Sequence, residues 1–488
     1  MMNLVKTCTQ VALHFARHTS LAFSLHRLLI VASLFSLTAC VSDTPPDVEA
    51  PKITIVGAGV SGLATAKRLT EAGFDVTVLE ARDRIGGRTW SYQSNTGATL
   101  DLGASWIHGD FAPFEDLAKQ QGIELVNTDF ENLLIHNSEG QSQHLSEVDT
   151  ESLINAMQIG VGLANLMGGS ASMQDVIDKS WPLLALAGFS RELVDFLVTA
   201  DIEVSSAASA EDLTVRSYLG DIFAMIIPSE QDESIDEEEE RSKNLAFPKG
   251  YNQITDYLAE GLDIQLNTTV LDIDYNQDPI RVTTNQGELS SDLIIVTAPI
   301  GVLKAGDISF SPALPDWKQK AIEQTGSGLL NKLFLEFPYS FWDQDPDMLG
   351  ITQPEKGGLA LWVNMEKVTR RPTLMAFSAG RSAKALEALS DQQMVDLAMQ
   401  RLVQAYGKDI PEPINVTRTR WAADPFAKGS YSYESLNAGV LDSLFLSLPV
   451  KARVLFAGEA TSIDNGSNVP GAYETGLREA ERIIEWYR

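Results

Sequence analysis

Short apolar runs punctuated by glycine set the pattern of this chain. Ile53-Thr54-Ile55-Val56 leads into Gly57-Ala58-Gly59-Val60-Ser61-Gly62, an amphipathic run continues to Ala72, and a second apolar run, Val76 to Leu79, ends on Glu80. The spacing predicts a buried strand, a tight turn, a helix and a second strand parallel to the first. Helical patterns then dominate from Pro113 to Arg216. An acidic run from Gln231 to Arg241, including Glu237 to Glu240, has almost no apolar content and is expected to be a solvated loop. Phe247-Pro248-Lys249-Gly250 closes it, and a helix to Gly261 follows. Short strands come next: Ile264 to Leu266, Val270 to Tyr275, Ile280 to Thr284 and Leu293 to Thr297, the last two framing a turn at Asn285-Gln286-Gly287. Strands reappear between Phe334 and Phe377, and a helix is expected from Asp391 to Tyr406. Val454-Leu455-Phe456 with Ala457-Gly458-Glu459, and a closing helix from Gly471 to Tyr487, restore the opening pattern and return the chain to the first sheet. The sequence contains no internal repeat.

Composition narrows the picture. At 488 residues, 44% hydrophobic and 21% charged, the chain is globular, with a length prior of about two to three domains. A formal net charge of -29 repels phosphates and argues against a nucleic-acid partner. It suits a cationic ligand, although general surface acidity for solubility explains it more simply. The only cysteines are Cys8 and Cys40, so the chain beyond them has no disulfide, thiol nucleophile or cysteine-based metal site. His14, His18 and His26 lie in the same leader, and His108, His136 and His144 lack metal-ligand spacing, so no metal is expected.

The leader reads as an export signal. Lys6, Arg17 and Arg27 precede an apolar run from Leu28 to Leu37, short for a bilayer span but suited to a signal core. It ends Leu37-Thr38-Ala39-Cys40, which resembles the bacterial lipobox. That resemblance implies removal of residues 1–39, lipidation of Cys40 and a tether over 40–51, rich in proline and acid. The chain would then be a periplasm-facing lipoprotein of a bacterial cell envelope, held to the membrane through Cys40 alone. The plain alternative is a coincidental cysteine beside an ordinary small-residue cleavage site.

The first strand-turn-helix carries the candidate chemistry. Glycines let backbone approach a pyrophosphate, and the helix N-terminus offers free N–H groups to the anion. Glu80, roughly 20 residues on, is placed to accept from ribose hydroxyls. A strand before the motif, a helix after it and an acid after the second strand supply the context that a bare glycine pattern lacks. Arg82-Asp83-Arg84-Ile85-Gly86-Gly87-Arg88 follows, with guanidinium groups for phosphate oxygens.

Glu80-Ala81-Arg82 with Gly86-Gly87-Arg88, Leu102-Gly103-Ala104-Ser105-Trp106-Ile107-His108-Gly109, Thr297 to Lys304, Trp421 to Tyr433 and Phe456 to Thr461 together resemble the flavin-dependent amine oxidase family, in order, from Lys52 to Arg488. Trp106-Ile107-His108-Gly109 and Gly429-Ser430-Tyr431-Ser432-Tyr433 resemble most the branch of polyamine oxidases and lysine-specific histone demethylase catalytic domains. The resemblance implies an α/β fold with a Rossmann-like FAD-binding domain built from residues 52–115, 245–305 and 415–488. An α+β substrate-binding domain, 116–244 and 306–414, is interleaved with it.

The same resemblance implies a site. Gly57, Gly59, Gly62, Glu80, Arg82, Gly87, Arg88, Gly103, Ala104, Ser105, Trp106, Val270, Trp421, Glu459 and Val469 are expected on FAD. Lys332 matches the lysine that holds a water near flavin N5, Tyr431 one wall of the aromatic cage that receives the amine, and His108 a channel-lining histidine. Read from local sequence alone, Lys332 sits on a strand edge as a surface lysine, Tyr431 in a core strand, and Trp421 in a core. Asn468 replaces the second aromatic wall, and Pro470 stands where the family often has histidine. With no cysteine between Glu459 and Ala472, FAD is expected to be noncovalent. Implied partners are a small amine and O2. The amine's α carbon is oxidised, an imine is released for hydrolysis, and O2 becomes H2O2; polyamine-type amines are preferred, with Asp201, Glu203 and Asp221 as candidates for distal charges.

Three readings compete. An L-amino-acid oxidase needs an arginine to clamp a carboxylate, and Arg216, Arg370 and Arg371 are available. A desaturase or porphyrinogen-type oxidase shares the flavin fold, but Lys332 and the 429–433 segment speak against it. A non-catalytic, lipid-anchored flavin- or polyamine-binding protein belongs to a different class; oxygen consumption with amines separates it from an enzyme.

Overall fold

The computed structural model describes residues 51–108, 112–166, 171–215, 244–354, 356–439 and 441–487. The leader with Cys40, the tether up to residue 50, Gly109, Arg216, Asp221 and the acidic run lie outside the described residues.

A parallel sheet organises the nucleotide end. Its order is Asp263–Gln265, Asp75–Leu79, Lys52–Val56, Leu293–Val296 and Val454–Phe456, so strands distant in sequence are neighbours. Ile53, Ile55, Val78, Ile294 and Ile295 are wholly buried, as a sheet covered on both faces requires. Val56 pairs with both Leu79 and Val296, so the carboxyl ends of three strands converge where open α/β sheets bind ligands. The helix Val60–Glu71 leaves that edge and packs against the closing helix Val469–Tyr487. The two approach closely: a Cβ on Gly476 would lie 2.4 Å from the Ser61 carbonyl oxygen. The closing helix starts two residues earlier than its sequence pattern; Pro470 sits in its first turn, where a missing N–H is not needed.

Two further sheets correct the sequence reading. The turn at Asn285-Gln286-Gly287 joins Ile280–Thr284 to Gly287–Ser291, not to the run beginning at Leu293. Gly287–Ser291 has exposed polar positions and edges a four-stranded sheet, whereas Leu293–Val296 is buried throughout and belongs to the parallel sheet. The region from 113 to 216 is helical at Ala112–Gln120, Thr150–Leu166, Met173–Leu186 and Arg191–Leu197, but it also contributes strands. Leu133–His136 pairs in parallel with Met348–Ile351, and Ser142–His144 lies beside it. Four consecutive buried residues fit a strand covered on both faces, a pattern that periodicity does not separate from a buried helical segment. These strands edge a seven-stranded sheet ordered Asn415–Arg418, Leu330–Glu336, Thr373–Ala379, Leu361–Asn364, Met348–Ile351, Leu133–His136 and Ser142–His144. Lys332 lies inside its second strand, which starts at Leu330, four residues before the expected start at Phe334.

A second lysine is buried, in the helix Asp316–Gln324. Lys318 is fully buried, donates to the Leu446 and Leu448 carbonyl oxygens at 2.7 Å each, and lies 4.0 Å from the Phe456 ring centroid. Burial pulls its ammonium down to about 7. The unfolded chain therefore binds more protons than the fold between about pH 7 and the ordinary lysine range, so stability rises with pH across that window. Compared with Lys318→Met, the wild type is expected to gain up to about 1.4 kcal/mol per pH unit from pH 7 to 10 in urea unfolding. A pH-independent difference between the two proteins would rule this out.

Candidate active site

A cavity of about 1820 Å³ runs from the carboxyl ends of the parallel strands to the seven-stranded sheet. Ordinary small-molecule pockets measure about 300–1,000 Å³, so the space admits a dinucleotide and a second ligand. Gly57, Gly59, Glu80, Arg82, Gly87, Arg88, Gly103, Ala104, Ser105, Trp106, Val270, Trp421, Glu459 and Val469 line it, together with Lys332, Tyr431 and His108. Gly62 alone of the expected residues is not on the wall. It faces the first turn, where an added Cβ would lie 2.0 Å from the Gly57 carbonyl oxygen.

The nucleotide end fits an anion with a ribose beside it. A Cβ on Gly59 would meet no atom within 4 Å, so the backbone faces open space at the start of Val60–Glu71. That helix has no side-chain cap and no acid in its first turn, and Ser61 Oγ is buried without a partner on the cavity wall. Unclaimed N–H groups and an orphan hydroxyl at a helix N-terminus are suited to a pyrophosphate. Glu80 is buried; one carboxylate oxygen accepts from the Ala58 N–H at 2.7 Å and the other from the Arg82 N–H at 2.9 Å. Each oxygen keeps a lone pair for ribose hydroxyls. Gly87 has φ of +59°, and its Cβ would press on Gly59 Cα at 3.4 Å, so the two glycines pass close together.

Arg82 and Arg88 line the cavity and are also tied to the protein. Arg82 donates to both carboxylate oxygens of Asp424, at 2.8 and 2.7 Å, and Arg88 donates to Ser430 O and Glu459 Oε1, each at 2.8 Å. These partners leave other guanidinium N–H groups free of the bonds named. Glu459 also accepts from the N–H groups of Ser432 and Ser467 and from Ser432 Oγ, so it fastens the loop before Val469 to the strand Ser432–Glu434. Asp424→Ala would leave Arg82 half-buried without its fork partner. Charge-assisted bonds contribute about 1.5–3 kcal/mol, so the variant should melt lower and bind FAD at least about tenfold more weakly. Unchanged FAD affinity by fluorescence titration would assign Arg82 no part in the nucleotide site.

At the other end, Lys332 is buried in mid-strand, paired with Phe377 on one side and flanked by Arg418 across from Leu333 on the other. Its Nζ donates to Gly103 O and Ser105 Oγ at 2.5 Å each and to Asp101 O at 3.1 Å. Three acceptors match the three protons of an ammonium. Thr419 Oγ1 accepts from the Lys332 N–H and donates to Asn331 Oδ1, which also accepts from the Trp421 N–H. Trp421 Nε1 donates to Leu102 O at 3.2 Å, steadying the turn that offers Gly103 to the lysine. A Cβ on Gly103 would sit 1.8 Å from the Arg88 carbonyl oxygen, which is why that turn needs glycine.

Asp101 is the residue that sequence reasoning missed here. Its buried carboxylate accepts from Ser91 Oγ at 2.5 Å and the Tyr251 N–H at 3.0 Å. Burial pushes the Asp101 carboxyl up and the Lys332 ammonium down, and attraction between the two opposes both shifts. The signal was available: an acid between buried Leu100 and Leu102, immediately before the motif at 102–109. Asp424 offered no comparable signal, because its partner is 342 residues away.

Trp106 forms the wall beside Lys332, its ring centroid 5.2 Å from Nζ and 5.3 Å from the Phe130 ring. His108 Nδ1 bonds Asn244 Oδ1 at 2.7 Å, and its ring lies edge-on to Phe130 at 5.8 Å. The imidazole is enclosed by the cavity walls yet open to the cavity itself; that enclosure lowers its proton affinity, Asn244 raises it and Lys332 lowers it further. Tyr431 donates to Val204 O at 2.6 Å, fixing its ring on the wall against the turn after Val198–Glu203. Asn468 donates to Gly466 O at 3.1 Å and also faces the cavity. Glu203 is buried and paired with Lys356 at 2.8 Å, which removes it from distal-amine duty, while Asp201 lines the cavity. Arg370 pairs with Glu124, and neither it nor Arg371 lines the cavity; among the described residues its only arginines are Arg82 and Arg88. No group of metal-ligand geometry occurs among the described residues.

Comparison with known proteins agrees with this geometry. The profile described as "Flavin containing amine oxidoreductase" matches residues 60–484. Polyamine oxidase 4 of Oryza sativa subsp. japonica is 32% identical over 455 residues, covering 88% of each chain. Lysine-specific histone demethylase 2 of Homo sapiens is 30% identical over 484 residues, covering 95% of this chain and 57% of its own. A wild-type putrescine oxidase bound to putrescine superposes with a TM-score of 0.71 at 21% identity, over 90% of this chain and 99% of that one, a likeness of fold.

Proposed function

Because the chain belongs to the flavin-containing amine oxidoreductase family, with FAD as its cofactor, we propose that it oxidises a polyamine-type amine at the carbon beside nitrogen, releasing an imine and returning electrons to O2 as H2O2. The observation that carries this reading is the buried Lys332 ammonium, held by three acceptors beside Trp106 on the wall of the cavity that the nucleotide motif opens.

Bound there, FAD supplies the two-electron chemistry. Glu80 and the start of Val60–Glu71 would hold its ribose and pyrophosphate, and the backbone at Val469 would border its ring. With no cysteine in the 459–472 loop, attachment is noncovalent. Tyr431, anchored through its hydroxyl, presents a ring face that steers a cationic amine. Trp106 and Phe377 pack beside Lys332, apolar surroundings that favour neutral amine at the reacting carbon and an ordered proton donor or acceptor at Nζ. Segments 52–115, 245–305 and 415–488 would form the FAD domain and the remainder the substrate domain. The lipobox-like leader supports export and anchoring at Cys40, which a Cys40→Ala variant losing detergent-phase partition would test.

The balance is one amine and one O2 consumed per H2O2 formed, with the imine taking up water. Coupled oxygen-electrode and peroxide assays with spermine, spermidine and butane-1,4-diamine are expected to give that stoichiometry. Bound FAD with no oxygen uptake on any amine would favour the non-catalytic binding reading.

A further inference from the structure

The turn that anchors Tyr431 is itself held by an ion pair set back from the cavity. Val198–Glu203 is a π-helix, a winding often found at functional sites, and the Ala208 N–H reaches back five residues to Glu203 O at 3.2 Å. Val204 comes next, and its carbonyl oxygen accepts from the Tyr431 hydroxyl at 2.6 Å. Glu203 is buried, and neither it nor Lys356 lines the cavity. Lys356 Nζ donates to Glu203 Oε1 at 2.8 Å and to Gln174 Oε1 at 3.2 Å. The Ala210 N–H donates to the same Glu203 oxygen at 2.9 Å, and the Gln174 N–H closes the ring on Ala210 O at 3.0 Å. The far end of this segment is wedged between two strand ends. The Leu329 N–H donates to Ala207 O at 2.6 Å; an added Cβ would lie 2.8 Å from Ala207 O at Gly328 and 2.4 Å from Ser209 N at Gly380. Gly328 leads into Leu330–Glu336, which carries Lys332, and Gly380 follows Thr373–Ala379, which carries Phe377.

We propose that Glu203 and Lys356 are positioning residues for the amine: their ion pair fixes the Val204 carbonyl, and through it the Tyr431 ring, without either side chain touching substrate. The inference rests on the amine-oxidase reading and adds to it a part of the structure that sets amine affinity. Removing one partner of a buried pair leaves an uncompensated charge, and a carboxylate so stranded draws in water or a proton. Residues 207–209 are held against two strand ends, so the shift is taken up at 203–204, where the acceptor of Tyr431 lies. Lys332 keeps its bonds to Asp101 O, Gly103 O and Ser105 Oγ, none of which lies on this turn. Loss of the pair therefore loosens amine binding more than it slows electron transfer.

The test uses the purified full-length holoenzyme with spermine and spermidine under anaerobic conditions. Three quantities are read: flavin content, the limiting rate of flavin bleaching, and the amine concentration for half-maximal rate. Lys356→Met is expected to raise half-saturation about tenfold, the scale of coupling through a packed network, while flavin content is kept and the limiting rate falls less than about threefold. Lys356→Arg can still pair with the carboxylate and should stay within about threefold of wild type in half-saturation. Glu203→Gln/Lys356→Met removes both charges and should bind amine more tightly than Lys356→Met alone. Unchanged half-saturation in Lys356→Met, an equal loss in Lys356→Arg, or a change that comes only with loss of flavin overturns the proposal and leaves amine oxidation intact. If neither amine bleaches the wild-type flavin, the amine-oxidase reading fails and this proposal falls with it.

Discussion

Lys332→Met is expected to slow flavin reduction by amine about a hundredfold or more while leaving FAD bound, the range associated with removing a positioned proton-transfer group. Methionine fills nearly the same space in the strand, so packing against Phe377 and Trp106 is kept while the three hydrogen bonds to Asp101 O, Gly103 O and Ser105 Oγ are lost. The variant also leaves the Asp101 carboxylate buried without its counter-charge. Asp101 then takes up a proton at higher pH than in the wild type. A folded-state carboxyl raised above its unfolded value binds protons that the unfolded chain has released, so its contribution to stability declines as pH rises through the raised value. The variant should therefore lose stability relative to wild type as pH rises above about 6 in thermal melts.

Kinetics add a second signature of the same pair. Burial brings the Lys332 ammonium down from the ordinary lysine range, so a rise in pH through neutrality frees a lone pair on Nζ. The rate of anaerobic flavin reduction should rise with pH across that region, and the inflection should be absent from Lys332→Met. Asp101→Asn removes the nearest stabilising charge and should move the inflection to lower pH, the pair titrating as a unit. An unchanged pH profile in both variants would dissociate Lys332 from the reaction.

Gly62→Ala should produce the second large effect, on cofactor retention. Alanine is favoured over glycine in a helix interior by about 1 kcal/mol, which alone would stabilise Val60–Glu71. Against that, the new Cβ would lie 2.0 Å from the Gly57 carbonyl oxygen and 3.2 Å from Thr297 Oγ1. The obstructing atom is backbone in a turn at φ +107°, not the end of a flexible side chain, so the helix must move outward by more than 1 Å. Overpacking of this kind costs about 1–3 kcal/mol, and here it also displaces the N–H groups from the pyrophosphate. Purified Gly62→Ala should carry less than a tenth of the wild-type flavin per protein by absorbance. Full flavin occupancy would show that the turn has more slack than its geometry indicates.

The nucleotide end was legible in sequence because its chemistry is local. Glycines, a helix start and Glu80 lie within about 30 residues, and each has a mechanical reason to be there. The amine end was legible only through family resemblance. Lys332 reads locally as a strand-edge lysine, and its burial depends on Phe377, Arg418 and the turn at Gly103, all distant in the chain. Asp424 and Asp101 act through partners 342 and 231 residues away, beyond any periodicity argument. The strand Leu133–His136 was hidden in a helical region because a fully buried strand loses its alternation. The hairpin partner of Ile280–Thr284 was misplaced for the opposite reason: Gly287–Ser291 is a polar edge strand with little apolar signal.

An amine delivered beside Lys332 is expected to give up electrons to the bound flavin. Anaerobic addition of amines to the FAD-loaded full-length protein, followed by the oxidised flavin absorbance band, tests it most directly. Expected are bleaching by spermine or spermidine, little bleaching by L-amino acids, and a rate lowered about a hundredfold in Lys332→Met. Bleaching by L-amino acids alone, or a flavin-loaded protein that no amine reduces, would contradict it.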